Sequence, residues 1–118
     1  MKNIADNIRL YVSAWNEKTP EAIKAILLAC CEPNITYTDK QTPQFSGIDA
    51  LVDLIMNSYQ LVPGRVITLQ SEPEYFDGHA YYGWGIIIPG VGERAGRDYM
   101  IYDENHRIVE IVGFLPVS

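Results

Sequence analysis

The chain has 118 residues, of which 47% are hydrophobic and 20% charged, and its nine basic and fifteen acidic residues give a formal net charge of −6. That length accommodates one domain, residues 1–118, around a single sizeable core, and the composition excludes a disordered chain. The acidic balance argues against a phosphate backbone as partner, so no nucleic acid is expected.

In chain order, Ile4, Ile8, Tyr11, Val12 and Trp15 recur at three- and four-residue spacing and predict an amphipathic first helix with one hydroxyl, Tyr11, in its apolar stripe. Thr19-Pro20-Glu21 is a helix start: a hydroxyl cap, a proline at the first position and an acid in the first turn. This second helix buries Ile23, Ile26, Leu27 and Cys30 and is expected to stop near Glu32, ahead of Pro33. Residues 35–39 alternate as a strand that places Ile35, Tyr37 and Asp39 on one face. A polar connection follows. Ser46 and Asp49 then resemble a capping box opening a third helix with Ile48, Leu51, Val52, Ile55 and Tyr59 inward, ended by Pro63-Gly64.

Beyond Arg65 only strands are expected. Asp77-Gly78 is a hairpin turn pairing Phe76 with His79 and, if the strands continue, Ser71 with Trp84. Tyr82, Trp84 and Ile86 fall on the apolar face, and Glu74, His79 and Tyr81 on the wetter one. Residues 89–96, with three glycines and a proline, read as a loop or bulged hairpin. In the next strand Asp98 shares a face with Gly96, Met100 and Tyr102, and a turn at Glu104-Asn105 would set it opposite Ile111 in the last strand. The order is ααβα followed by four long antiparallel strands. That order predicts an α+β fold, a cone-shaped curved antiparallel sheet with the three helices packed on its concave face and a mouth suited to a small apolar ligand.

Cys30 and Cys31 are adjacent and do not form a bridge between separate elements. A reduced, cytoplasmic chain is expected. His79 and His106 belong to no Cys/His cluster, so neither a metal nor another cofactor is called for. The first fifteen residues lack the unbroken apolar stretch of a signal peptide and no run approaches a membrane span, so no membrane partner is expected.

The chemistry converges on Asp98. An inward carboxyl in a dry pocket has its pKa raised and becomes a hydrogen-bond donor when protonated. The alternative is a partly exposed strand-end residue paired with Arg94 or Arg97. Asp39, ending its strand, also fits a simple turn role.

A set of short motifs runs through nearly the whole length: Tyr-x-x-x-Trp-Asn at 11–16, the strand-end Asp39, Phe-Ser-Gly-Ile at 45–48, Leu-Val-Pro-Gly at 61–64, Gly-Arg-Asp at 96–98 and the final Arg-Ile-Val-Glu-Ile strand. In their order and spacing the chain resembles the nuclear transport factor 2-like and SnoaL-like superfamily, and within it the ketosteroid isomerases. The resemblance implies a catalytic set of Tyr11 and protonated Asp98 as oxyanion donors with Asp39 as the base that moves a proton α to a carbonyl. Trp15, Tyr37, Tyr59, Trp84 and Met100 would hold the substrate, a small apolar or carbonyl-containing ligand. Lys40 stands where those isomerases carry proline, and a gap of about four residues near 30–33 separates the two patterns. The same fold serves polyketide cyclases and non-catalytic binding or association modules. Arg97, adjacent to Asp98, departs from the arginine two residues before an aspartate that the epoxide hydrolases of the fold use. The resemblance also implies a homodimer through the outer sheet face, where Tyr81, Ile87 and Tyr99 would suit the contact.

Overall fold

The computed structural model describes residues 2–116. Helix α1 spans Ile4–Ala14 and starts in a reciprocal cap, the Asn3 side chain accepting from the Asp6 amide while the Asp6 carboxylate accepts from the Asn3 amide. Its apolar stripe is buried from Ile4 to Val12. Helix α2 (Pro20–Cys30) starts as its sequence requires, with the Thr19 hydroxyl accepting from the Ala22 amide. It ends two residues earlier than Pro33 alone dictates. Strand β1 (Cys31–Asp39) begins at once, and its pairing register shifts between Cys31 and Thr36, which leaves Pro33 in an irregular stretch of the ladder.

Two expectations in the next segment are corrected. The polar connection is a strand, β2 (Thr42–Ser46), folded back on β1 through a tight turn at Lys40-Gln41. Helix α3 (Ile48–Leu61) has no Ser46–Asp49 capping box, because its N-cap is Gly47, at φ 104°, with no side-chain cap. A left-handed backbone there suits glycine alone and turns the chain out of β2 into the helix.

Strand β3 (Val66–Leu69) and strand β4 (Glu74–Phe76) both pair with β5 (His79–Ile88). The Asp77-Gly78 turn pairs Phe76 with His79 as expected, but Trp84 faces Leu69 instead of Ser71, because the chain bulges between β3 and β4. A slip of two residues preserves which face each side chain occupies. The glycine-rich segment is mostly strand: a short turn after Ile88 leads straight into β6 (Gly92–Tyr102), which pairs with β5 along its whole length. The last strand, β7 (Ile108–Phe114), pairs antiparallel with β6 and parallel with β1. Asp98 therefore stands opposite Gly113, not Ile111; the turn at residues 103–107 is wider than a two-residue hairpin and the register shifts after Ile101.

The sheet order is β2-β1-β7-β6-β5-β3, curved and unclosed, with β4 beside β5. The three helices and the inner sheet face enclose one core that includes Ile8, Leu27, Ile35, Leu51, Ile55, Met100 and Ile111. This is a cystatin-like α+β cone. Cys30 and Cys31 are both buried free thiols, 3.7 Å apart at the α2–β1 junction. No helix among the described residues is long and apolar enough to cross a membrane.

Candidate functional site

Four strands present one continuous row of residues toward the interior. Asp39 on β1 pairs with Gly113 on β7, Gly113 with Asp98 on β6, and Asp98 with Tyr82 on β5. At about 4.8 Å between neighbouring strands, the backbones of Asp39 and Asp98 stand roughly 10 Å apart with a glycine between them. A Cβ on Gly113 would meet the Tyr37 hydroxyl at 3.3 Å, the Asp39 Cβ at 3.4 Å and Asp98 Oδ1 at 3.5 Å. The absent side chain keeps the floor between the two carboxyls clear.

Asp98 is 7% exposed and points inward, as the strand alternation predicts. Its Oδ2 accepts from the Tyr82 hydroxyl at 2.6 Å and its Oδ1 from the Trp84 indole N–H at 3.0 Å. Burial raises its pKa from 3.8 to about 6; the two hydrogen bonds pull the other way, and the negative charge of Asp39 adds a smaller upward push. With no ligand bound, the carboxylate thus predominates at pH 7 and the acid at pH 5. Among the described residues no arginine pairs with it; Arg97 lies on the outer face against the Phe114 ring.

Tyr11 projects from α1 and is 1% exposed. Burial, followed by the charge of Asp98, holds its hydroxyl well above the ordinary tyrosine pKa, so it stays a proton donor. Asp39 is half-buried, its Oδ2 accepting from the Tyr37 hydroxyl at 2.7 Å and its Oδ1 from the Gln41 amide at 2.8 Å. The second bond is the local turn role expected of a strand-end aspartate; the first ties the same carboxylate to the interior.

Tyr11, Asp39 and Asp98 line a single cavity of about 560 Å³, open on one side, together with Trp15, Tyr37 and Trp84. Leu54, Ile67, Ile86 and Ile88 supply apolar wall, and Asn57, Ser58 and Gln41 are among its polar lining groups. The other two expected contact residues are elsewhere. Met100 is fully buried in the core, and Tyr59 sits half-buried between Lys18 and Arg65, whose cationic groups lie 5.8 and 5.6 Å from its ring centre. The strand face gave Met100 the correct inward sense, but depth along the cone separates core from cavity; Tyr59, expected inward on the third helix, belongs to neither.

Tyr82 and Gly113 were given no site role from sequence, and Arg94 was named there only as an alternative partner of Asp98. Tyr82 is fully buried and bonds Asp98, a partnership that follows only from the β5–β6 register, hidden behind the glycine-rich segment. Gly113 carries no sequence signal until its row is known. Arg94 lines the cavity. Behind the wall, Arg65 is 2% exposed and donates to the carbonyls of Trp15 (2.6 Å) and Ile55 (3.2 Å) and to the Ser58 hydroxyl (3.0 Å), fixing the end of α1 that carries Trp15.

No protein-family model and no curated protein matches the chain. Solved structures do. A "putative isomerase of the SnoaL-like family" from Agrobacterium tumefaciens superposes with a TM-score of 0.84 at 26% identity, covering 94% of this chain and 95% of that one. A protein with a ketosteroid isomerase-like fold from Catenulispora acidiphila, in complex with trimethylamine, gives 0.74 at 13% identity over 96% and 87% of the two chains. A "putative SnoaL-like polyketide cyclase" from Jannaschia sp. CCS1 gives 0.70 at 8% identity over 92% and 83%. The curved sheet and its three helices define a class of small α+β cones, and within it the chain has the fold of the nuclear transport factor 2-like, SnoaL-like superfamily.

Proposed function

We propose that the cone binds a small, largely apolar carbonyl compound and moves a proton α to its carbonyl, as in the isomerisation of a β,γ-unsaturated ketone. Asp39 takes the α-proton as the C–H bond breaks; the electron pair passes to the carbonyl oxygen as an enolate, and the same proton returns at the γ-carbon, leaving the conjugated ketone. Tyr11 and the protonated form of Asp98 donate to the oxygen as its charge develops. A ligand that displaces water from the Asp98 carboxyl disfavours its charged form further and extends the donor state to higher pH.

The observation that supports this reading is the convergence of Tyr11, Asp39 and Asp98, from three separate elements, on one open cavity whose walls are largely apolar. A cone filled by its own side chains would have favoured a purely structural or association role. Conversion of a β,γ-unsaturated ketone, followed by ultraviolet absorbance, is the test. Asp39→Asn is expected to abolish turnover and Tyr11→Phe to lower kcat by about 10²–10³. Turnover by Asp39→Asn at the wild-type rate would rule the mechanism out.

We also infer a dimer through the outer sheet face, where Tyr81 and Ile87 stand 40% and 42% exposed. Sedimentation should show a dimer that Ile87→Lys dissociates, and a wild-type monomer would contradict it.

A further inference from the structure

Charge in the cavity is unevenly placed. Of the described residues that line it, Asp39, Asp98 and Arg94 carry formal charge, and Arg94 is the sole cation. It shares the inward face of β6 with Asp98 but lies four residues nearer the β5–β6 turn, about 13 Å away along the strand. No ion pair joins the two among the described residues, and the groups that act on the Asp98 carboxyl are Tyr82, Trp84 and Asp39, so Arg94 is not its counter-charge. It forms no salt bridge among the described residues, and its one hydrogen bond runs from Nη1 to the backbone carbonyl of Glu93 at 3.1 Å. The remaining guanidinium donors are uncommitted. Ile86, its cross-strand partner, and Ile88 line the same wall.

We propose that the ligand is amphipathic, with a carboxylate or comparable anionic group that Arg94 holds at the mouth while its carbonyl reaches Tyr11 and Asp98. The inference rests on the carbonyl reading above and adds the chemical class of the far end. An anion deep in the cone would face Asp39 and Asp98, whereas one at Arg94 meets a planar fork of donors suited to a carboxylate. The apolar stretch between fits the isoleucine wall. Arg94 thereby sets both which compounds bind and which end enters first.

The test is a matched pair of apolar ketones, one ending in a carboxylate and the other in its methyl ester, spaced to bridge the distance from Tyr11 to Arg94. Calorimetric Kd values are measured with wild type, Arg94→Gln and Arg94→Lys at low and high salt. For wild type, the acid is expected to bind about fivefold more tightly than the ester, the size of a partly exposed ion pair. Arg94→Gln should bring that ratio to one, Arg94→Lys should restore part of it, and salt should compress it. Equal binding of acid and ester by wild type, or a preference that survives Arg94→Gln, would overturn the inference while leaving the carbonyl reading intact. If neither ketone binds wild type, the carbonyl reading fails and the inference with it.

Discussion

Replacing Asp98 with asparagine should stabilise the protein at neutral pH and change its stability far less at pH 4. The carboxyl is 7% exposed, and burial lifts its pKa from 3.8 to about 6. A folded-state pKa above the unfolded value means that the native state holds the proton more tightly. The favourable contribution is therefore complete below about pH 3.8 and is lost as pH rises through 6. At 1.36 kcal/mol per unit, the shift corresponds to about 3 kcal/mol of stability that wild type loses across that window. Asparagine has nearly the same shape, can accept from the Trp84 indole through its oxygen and can donate to the Tyr82 hydroxyl through its nitrogen, and carries no charge to desolvate. Urea denaturation at pH 4 and 7.5 reads this directly. The difference between Asp98→Asn and wild type should move by about 2.4 kcal/mol in favour of the variant between the two pH values, with all other titrating groups cancelling. A difference that stays constant, or moves the other way, would show that the Tyr82 and Trp84 hydrogen bonds outweigh desolvation and that Asp98 is not held near 6.

Two further outcomes follow from the geometry. Gly113→Ala places a methyl within 3.3–3.5 Å of Tyr37, Asp39 and Asp98 without requiring an unusual backbone angle; it should fold, with Tm lowered by a few degrees at most, yet lose about tenfold or more in kcat/KM because the reacting carbon can no longer approach. Full activity in that variant would remove Gly113 from the site. Arg65→Met leaves the Trp15 and Ile55 carbonyls and the Ser58 hydroxyl without their donor; denaturation should show a loss of about 2–4 kcal/mol, and a loss near zero would contradict the clamp.

Much of this fold was legible because its signals are local. The α1 and α2 stripes, the Thr19 cap, the Asp77-Gly78 turn and the inward sense of Asp98 all follow from neighbouring residues, and the structure carries each of them. The errors lie where a distant partner decides. Residues 42–46 alternate too weakly to announce β2, which exists because β1 offers an edge. Glycine at 96 read as a loop signal, but a Cβ there would clash with the Trp84 ring, so its role is close packing inside a strand. The parallel β1–β7 pair joins opposite ends of the sequence, and it alone brings Asp39 into the row with Asp98. Periodicity gave the inward face of Met100 but not its height along the cone, so Trp15, Tyr37 and Trp84 reached the cavity while Met100 went into the core; Tyr59 lies outside both, beside Lys18 and Arg65.

Enolisation itself can be measured without knowing the natural substrate. The protein is mixed with a panel of apolar ketones in deuterated buffer, and exchange of the protons α to the carbonyl is followed by NMR for wild type and for Asp39→Asn. The account predicts exchange well above the buffer rate for at least one ketone that binds, lost in Asp39→Asn and fastest toward mildly acidic pH, where Asp98 is protonated as a donor. Exchange at the buffer rate for every ketone shown to bind, or equal rates with and without the Asp39 carboxylate, would contradict it.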